Sequence, residues 1–291
     1  MAQGEIMEIK QFSNGFEYIE VSNAVASAKI ALQGAHIFEY KVKDKEDLLW
    51  LSSQSDFEYG KAIRGGIPIC WPSFGMDNPE LPQHGFARVS LFSFVSFKQV
   101  DTKTSELILK LEENENTLAL WNYKFKLEVV FRISDTLEVE LRTTNKDKKT
   151  FRLTQALHTY FKVSSIENIQ IFGLEGRPYY DALLDAKYTQ NTTIKITEEF
   201  DNVYQKVDKP LVLQDKQKRV NITAYGSSST VVWNPWIEKT KRMSGMKESA
   251  YKEFVCIESA NAFDDFKTLR GGESHTLKQC CYNDTKEYRC R

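Results

Sequence analysis

The stretch RGGIPICWPSFGMDNPELPQHGFAR, from Arg64 to Arg88, decides how the rest of the chain is interpreted. It holds four of the fourteen glycines and four of the seven prolines. Proline fixes φ and glycine admits positive φ, so this composition predicts irregular, tightly turned backbone. An ordered loop is expected because the stretch carries its own apolar anchors, which are Ile67, Ile69, Trp71, Phe74, Leu81 and Phe86.

Charged and titratable groups lie at the ends of this loop. Arg64, His84 and Arg88 on a rigid platform would suit the capture of an anionic ligand, because guanidinium groups form charge-assisted hydrogen bonds with anions. The alternative is a structural loop whose arginines are solvated.

The composition restricts the classes of partner. The formal net charge is −1, so no basic field supports nucleic-acid binding, and any bound anion should be small. No apolar run is long enough to span a bilayer, and the N-terminus lacks the apolar core of a signal peptide. We therefore expect a cytoplasmic protein with no nucleic-acid or membrane partner.

Five cysteines are irregularly spaced and include no CxxC pair. This pattern indicates neither a disulfide framework nor a zinc site, and it favours a reducing compartment.

Alternation of apolar and polar residues predicts strands along most of the chain. The longest example lies between positions 123 and 133, where the apolar residues are Tyr123, Phe125, Leu127, Val129, Phe131 and Ile133. Such strands recur at short intervals without helical patterns between them. The prediction is an all-β fold, a large antiparallel β-sandwich with few short helices. We expect one domain over residues 1–291, with a frayed C-terminal tail from about residue 282.

The segment from Phe151 to Val163 is predicted to be one continuous strand. Its period of two places His158 on the more polar face, between Ala156 and Tyr160, where a ligand would find room and a surface to stack on. The alternative is a half-exposed histidine on a solvated sheet face.

Two carboxylates are further candidates. Glu258 ends an apolar run in the strand Glu253–Asn261, where ionisation is unfavourable, so it is a candidate general base. The alternative is a glutamate that reaches solvent at the end of the strand. Asp201 lies at a loop corner, where capping a turn is favoured over holding a sugar hydroxyl.

Several of these segments, in order, resemble those of one family. They are RGGIPICWPSFG, LPQHGFAR, ALHTYF, FDNVY, VVWNPW, FVCIESAN and LRGGESHT. The chain resembles the hexose-6-phosphate mutarotases (glucose-6-phosphate 1-epimerases) from about Glu17 to the strand after Gly272. The resemblance implies a galactose-mutarotase-like β-sandwich with a sugar site on one face of a large sheet.

The resemblance also implies roles for individual residues. It makes His158 of ALHTYF and Glu258 of CIES the catalytic residues. It makes substrate-binding residues of Arg64, Gln83, Arg88 and Asp201, and we expect His84 beside them. The chain departs from the family at Ser259-Ala260, where Pro-Gly is common, and at Asn202, where a basic residue is common, so we expect these positions to alter the rim of the site.

The implied activity is interconversion of the α and β anomers of a hexose 6-phosphate, glucose 6-phosphate above all. Glu258 and His158 would exchange protons with the sugar during ring opening and closure. We expect no cofactor, no metal, a sugar phosphate as the small-molecule partner, and a monomer. The alternatives are a mutarotase for unphosphorylated aldoses and a carbohydrate-binding sandwich without catalysis.

Overall fold

A computed structural model describes residues 6–216 and 218–283 of the chain. In these residues the strands are β1 (Ile6–Gln11), β2 (Glu17–Ser22), β3 (Ala26–Ala31), β4 (His36–Val42), β5 (Ile69–Cys70), β6 (Ser93–Asp101), β7 (Thr104–Glu112), β8 (Phe125–Ile133), β9 (Leu137–Asn145), β10 (Phe151–Leu153), β11 (Gln155–Leu157), β12 (Tyr160–Lys162), β13 (Gln170–Phe172), β14 (Pro178–Asp181), β15 (Ala186–Thr189), β16 (Phe200–Tyr204), β17 (Leu211–Gln214), β18 (Arg219–Tyr225), β19 (Ser229–Asn234), β20 (Phe254–Asn261), β21 (Lys267–Leu269) and β22 (Ser274–Asn283). The α-helices are α1 (Glu115–Leu120) and α2 (Trp236–Arg242), and four single turns of 3₁₀ helix cover Ala87–Val89, Ile166–Asn168, Ala250–Lys252 and Phe263–Asp265.

Two eight-stranded antiparallel sheets form the body of the fold. The first, here called the site sheet, has the order β15-β14-β16-β19-β20-β11-β5, with β12 also paired to β20. The second, the back sheet, has the order β13-β17-β18-β22-β9-β8-β7-β6. A four-stranded sheet, β1 to β4, and the pair β10-β21 complete the strands. The predicted all-β antiparallel fold with few short helices is confirmed.

The main core lies between the two large sheets. Every second side chain of β7, β8 and β9 is buried there, and Leu157, Phe161 and Ile257 of the site sheet belong to the same cluster. The opposite face of the site sheet carries a separate buried cluster that includes Tyr160 and Trp233. The site sheet is therefore covered on both faces, as expected for a sheet that also carries buried polar residues.

The loop from Arg64 to Arg88 packs against this second face and contributes strand β5. Two of its glycines are required by close backbone approach. A Cβ at Gly66 (φ +62°) would lie 2.2 Å from the carbonyl oxygen of Ile37, and a Cβ at Gly85 (φ +70°) would lie 2.1 Å from that of Trp71. Five of its six apolar anchors are buried, namely Ile67, Ile69, Trp71, Leu81 and Phe86.

The segment Phe151–Val163 is not the continuous strand that the alternation predicts. It divides into β10, β11 and β12 because its hydrogen-bond partners change along its length. Strand β10 pairs with β21, whereas β11 pairs with β20 and β5. At His158 the backbone N–H donates to the carbonyl of Pro68 at 3.0 Å instead of to a neighbouring strand.

Two other expectations concern the C-terminal tail and the cysteines. Tyr282 lies in β22, which ends at Asn283, and the rest of the expected frayed tail, residues 284–291, lies outside the described residues. Cys70, Cys256 and Cys281 are free thiols, but Cys280 is disulfide-bonded, which the cysteine spacing did not indicate. In the described part of the chain, no helix has the length and apolar character needed to cross a membrane.

Candidate active site

One cavity of about 340 Å³ brings together every residue that the sequence singled out as a site residue. It lies on the face of the site sheet turned away from the back sheet, under the Arg64–Arg88 loop. The predicted residues that line it are Arg64, Gln83, His84, Arg88, His158, Asp201 and Glu258. Their roles remain predictions, but their convergence from four separate segments is a property of the fold.

The strand register sets His158 opposite Glu258. Leu157 pairs with Ser259 and Tyr160 pairs with Cys256, so the same register places His158 across from Glu258. Directly opposite residues on antiparallel strands lie within side-chain contact. The imidazole Nε2 is 3.2 Å from the carboxyl Oε1, and the two side chains are only 11% and 2% exposed.

Glu258 lies inside its strand, so the alternative of a glutamate at a strand end is wrong. Strand β20 continues to Asn261, and all eight of its residues are buried. The carboxyl group therefore cannot reach solvent in the way that a glutamate at a strand end would. The structure therefore shows a buried carboxyl group at Glu258, which is the arrangement that the general-base prediction required.

Burial shifts the pKa values of this pair in opposite directions. It raises the pKa of the Glu258 carboxyl well above its usual value, and the nearby Asp201 carboxylate adds to the rise. It lowers the pKa of the His158 imidazole, and His84, Arg88 and Arg64 add to that fall. Both shifts favour the uncharged forms, a protonated Glu258 carboxyl and a neutral His158 imidazole.

The pair is also incompletely hydrogen-bonded. His158 Nδ1 and Glu258 Oε2 are buried and have no partner among the described residues. An unsatisfied buried polar atom typically costs about 1–3 kcal/mol. Such atoms are uncommon in folded proteins and are typical of sites that a ligand completes.

Arg64 and Arg88 bring positive charge to the cavity from the two ends of the loop. The Arg88 Nη2 donates to the backbone carbonyl of Gln83 at 2.7 Å, which fixes the guanidinium beside the exposed Gln83 side chain. Neither arginine has a carboxylate within 4 Å among the described residues. Two cations without counter-ions in one cavity are suited to binding an anion.

His84 occupies the loop between these arginines in a left-handed conformation, with φ of 65°. Its Nδ1 accepts a hydrogen bond from the Gly75 N–H at 3.2 Å, so the ring hydrogen lies on Nε2. Burial, Arg88 and Arg64 lower the pKa of His84 to about 3. The ring is therefore neutral at physiological pH, and its centroid lies 5.8 Å from that of His158.

Asp201 lies in strand β16 and not at a turn, so the capping role favoured from sequence is wrong. Burial raises the pKa of Asp201, and Lys239 of helix α2 opposes that rise from 3.7 Å. Lys239 also lies 3.0 Å from Glu199 and 5.8 Å from the centroid of the Trp233 ring.

Sequence reasoning assigned no site role to Lys239 or Trp233, both of which line the cavity. The signal for Lys239 was the basic segment after Asn234-Pro235, which forms helix α2. The signal for Trp233 was its place in VVWNPW, and Trp233 pairs directly with Asp201.

Two other expectations about the rim differ from the structure. Asn202 is buried and does not line the cavity, because alternation along β16 turns it away from the face that carries Asp201. Ser259 and Ala260 are also absent from the lining, and the Ser259 hydroxyl accepts a hydrogen bond from Gln279 in the core.

No cluster of three or more His, Cys, Asp or Glu side chains in the described residues is arranged to hold a metal ion. The cavity instead combines cations, carboxyl groups and aromatic rings. Tyr160 stacks on His158 with a centroid distance of 5.0 Å. This set of groups can bind a polar anionic molecule and exchange protons with it.

Comparison with known proteins gives a consistent result. The family model described as aldose 1-epimerase matches residues 17–280. A protein of Escherichia coli (strain K12) named "Putative glucose-6-phosphate 1-epimerase" is 34% identical over 267 residues, which cover 89% of this chain and 88% of that protein. One of Cenchrus ciliaris with the same name is 35% identical over 281 residues, covering 91% of this chain and 84% of that protein.

Solved structures show the same likeness. A crystal structure described as a "putative mutarotase" from Salmonella typhimurium has a TM-score of 0.90 at 29% sequence identity, with 97% of this chain and 94% of that chain covered. A galactose mutarotase related enzyme from Lactobacillus acidophilus, at 15% identity and a TM-score of 0.72, shares the fold over 92% of this chain and 97% of that chain.

Proposed function

The chain belongs to the aldose 1-epimerase family, and from that premise we propose that it interconverts the α and β anomers of a hexose 6-phosphate. Glucose 6-phosphate is the substrate that the names of its relatives suggest. The evidence for a phosphorylated substrate is the pair of guanidinium groups of Arg64 and Arg88. Both line the cavity, and neither has a carboxylate partner among the described residues. Forked hydrogen bonds from guanidinium to phosphate are among the strong ones in proteins.

The size of the cavity is consistent with such a substrate. Small-molecule sites typically enclose about 300–1,000 Å³, and the cavity of about 340 Å³ is at the lower end of that range. Aromatic faces at Tyr160 and Trp233 would pack on the sugar ring. Asp201 and Gln83 would hold its hydroxyl groups, because carboxylate and amide oxygens accept hydrogen bonds from them.

The proposed reaction needs one base and one acid. Glu258 takes the proton of the C1 hydroxyl while the C1–O5 bond breaks, and the electrons of the O–H bond form the carbonyl. The electrons of the C1–O5 bond pass to O5, which takes a proton from His158. Rotation about C1–C2 followed by the reverse transfers closes the ring as the other anomer, so every proton returns to its donor.

The phosphate would also prepare the acid. Burial lowers the pKa of His158, and His84, Arg88 and Arg64 add to that fall, whereas burial raises the pKa of Glu258. A phosphate dianion between the arginines would offset their charge. This change would favour a protonated His158 and an ionised Glu258, which is the arrangement that ring opening requires.

Two-dimensional exchange NMR on glucose 6-phosphate tests the proposal. Cross-peaks between the two anomers should grow far faster with the protein than without it, and faster than those of glucose at the same concentration. Faster exchange on glucose would support an unphosphorylated aldose as the substrate instead. Binding of glucose 6-phosphate without added exchange would identify a carbohydrate-binding protein that lacks catalysis.

A further inference from the structure

A glutamine interrupts the apolar inner face of the back sheet. In strand β22 the side chains of Leu277 and Cys281 belong to the main core, and Gln279 lies between them, 1% exposed. Burying an amide in such surroundings is unfavourable unless all of its hydrogen-bonding groups are satisfied. The partners of Gln279 therefore indicate why a polar residue stands there.

Gln279 reaches across the core to both strand segments that carry the His158–Glu258 pair. Its Oε1 accepts a hydrogen bond from the hydroxyl of Thr159, the residue after His158. Its Nε2 donates to the Ile257 carbonyl at 3.2 Å and to the Ser259 hydroxyl at 3.0 Å, the residues on either side of Glu258.

These contacts link the two segments where the strand pairing is interrupted, between β11 and β12. His158 and Thr159 fall between β11 and β12, and the Ile257 N–H reaches the Thr159 carbonyl at 3.2 Å. A single planar amide bonded to Thr159 on one side and to both neighbours of Glu258 on the other restricts the separation of the two segments. The distance between Nε2 of His158 and Oε1 of Glu258 depends on that separation.

We propose that Gln279 is a positioning residue, which holds His158 and Glu258 at their reacting distance by bonding the backbone segments behind them from the opposite sheet. The inference rests on the proposed function, since it assigns a role to these two residues. Gln279 does not line the cavity, so it would act through its neighbours. A displacement of about 1 Å at a reacting group can lower a rate by about a hundredfold.

The test compares Gln279→Met with Gln155→Met. Both side chains are fully buried, and Gln155 of strand β11 donates to Asn261 Oδ1 at 2.9 Å and forms no side-chain hydrogen bond to Thr159, Ile257 or Ser259. Methionine keeps the length of glutamine and removes its hydrogen bonds. Exchange rates measured at several glucose 6-phosphate concentrations separate kcat from KM, and thermal unfolding measures stability.

We expect both variants to lose stability, but only Gln279→Met to lose about 10- to 100-fold in kcat, with KM within about twofold of the wild type. At the same pH, Gln279→Glu should recover part of the loss, because a buried neutral carboxyl keeps one acceptor and one donor. Equal kcat values for Gln279→Met and Gln155→Met would overturn the proposal.

Smaller changes keep the proposal testable if Gln279→Met does not fold. Thr159→Val and Ser259→Ala each remove one hydrogen bond of Gln279, so each should lower kcat by a smaller factor. Unchanged kcat in both would reject the positioning role. Wild-type protein without exchange on any hexose 6-phosphate would instead reject the proposed function, so the two failures are distinguishable.

Discussion

The Arg64–Arg88 loop and the site sheet meet at the same cavity, and they present charged groups to it in different ways. Arg64 and Arg88 are half-exposed and reach the cavity from irregular backbone. His158 and Glu258 stand on paired strands and are almost entirely buried. The loop therefore offers charge that is already stable in water, whereas the sheet holds groups whose ionisation depends on their surroundings.

This difference matches the two tasks that the proposal assigns. Holding a phosphate requires groups that stay charged at every relevant pH, and guanidinium meets that requirement. Proton exchange requires groups whose pKa can be moved, which is achieved by burial. The loop and the sheet are coupled because Arg88 and Arg64 help to lower the pKa of His158.

The largest effect is expected from Glu258→Gln on the sheet side. Loss of the base should lower the exchange rate on glucose 6-phosphate by about 10² to 10⁴-fold. The same substitution should increase the stability of the protein relative to the wild type. The folded-state pKa of Glu258 is raised above its ordinary value of 4.5, so the wild type loses stability as pH rises from that value towards the raised one.

Glutamine at position 258 does not titrate, so this loss should be absent. Urea unfolding across pH should show the stability of Glu258→Gln gaining on the wild type as pH rises above about 4.5. Glu253→Gln is the matched control, since Glu253 adjoins the same strand but bonds Trp50 Nε1 outside the cavity. Full exchange activity in Glu258→Gln would show that Glu258 is not the base.

A smaller and selective effect is expected from Arg64→Ala on the loop side. Hydrogen bonds to charged groups contribute about 1.5–3 kcal/mol, which corresponds to a loss of about 10- to 100-fold in kcat/KM for glucose 6-phosphate. Exchange on glucose should change little, because no phosphate is present to be held. Arg142→Ala on the back sheet, where Arg142 pairs with Glu140, provides the control. Equal losses on both sugars would show that Arg64 does not distinguish the phosphate.

The sequence predicted the position of His158 on the site sheet, but it did not predict that Lys239 and Trp233 line the cavity. Alternation places Ala156, His158 and Tyr160 on one face whether the strand is continuous or divided, so the division into three strands did not affect that prediction. The composition of the loop then indicated Arg64, His84 and Arg88, and the resemblance of short motifs added Gln83. These features depend on local periodicity and on contiguous segments, both of which are visible in a single chain.

Lys239, Trp233 and Gln279 depend on long-range contacts instead. Lys239 reaches the cavity because helix α2 folds back beside β16, and Gln279 reaches the site strands only across the packed core. In the sequence, a lysine in a basic segment and a glutamine in an apolar strand have common structural explanations. Their significance follows from sheet packing, which local patterns do not encode.

The smallest expected effect lies between the two regions, at Lys239. Lys239 lies within 4 Å of Asp201 and Glu199, and it opposes the rise that burial causes in the pKa of Asp201. In Lys239→Met that opposition is lost, while Glu199 and Asp181 still raise the pKa of Asp201. Asp201 should then be protonated at a higher pH than in the wild type and should accept a sugar hydroxyl less well.

The expected result is a KM for glucose 6-phosphate raised by a few fold, with a rise that grows as pH falls and with little change in kcat, since roughly 0.5–1.5 kcal/mol is typical for one hydrogen bond. Other titrating groups around Asp201 are Tyr180 and Glu258, so the profile must be compared with a matched variant. Lys241→Met removes an exposed lysine of the same helix that pairs with Glu238. If the two variants share one pH profile, Lys239 does not set the ionisation of Asp201.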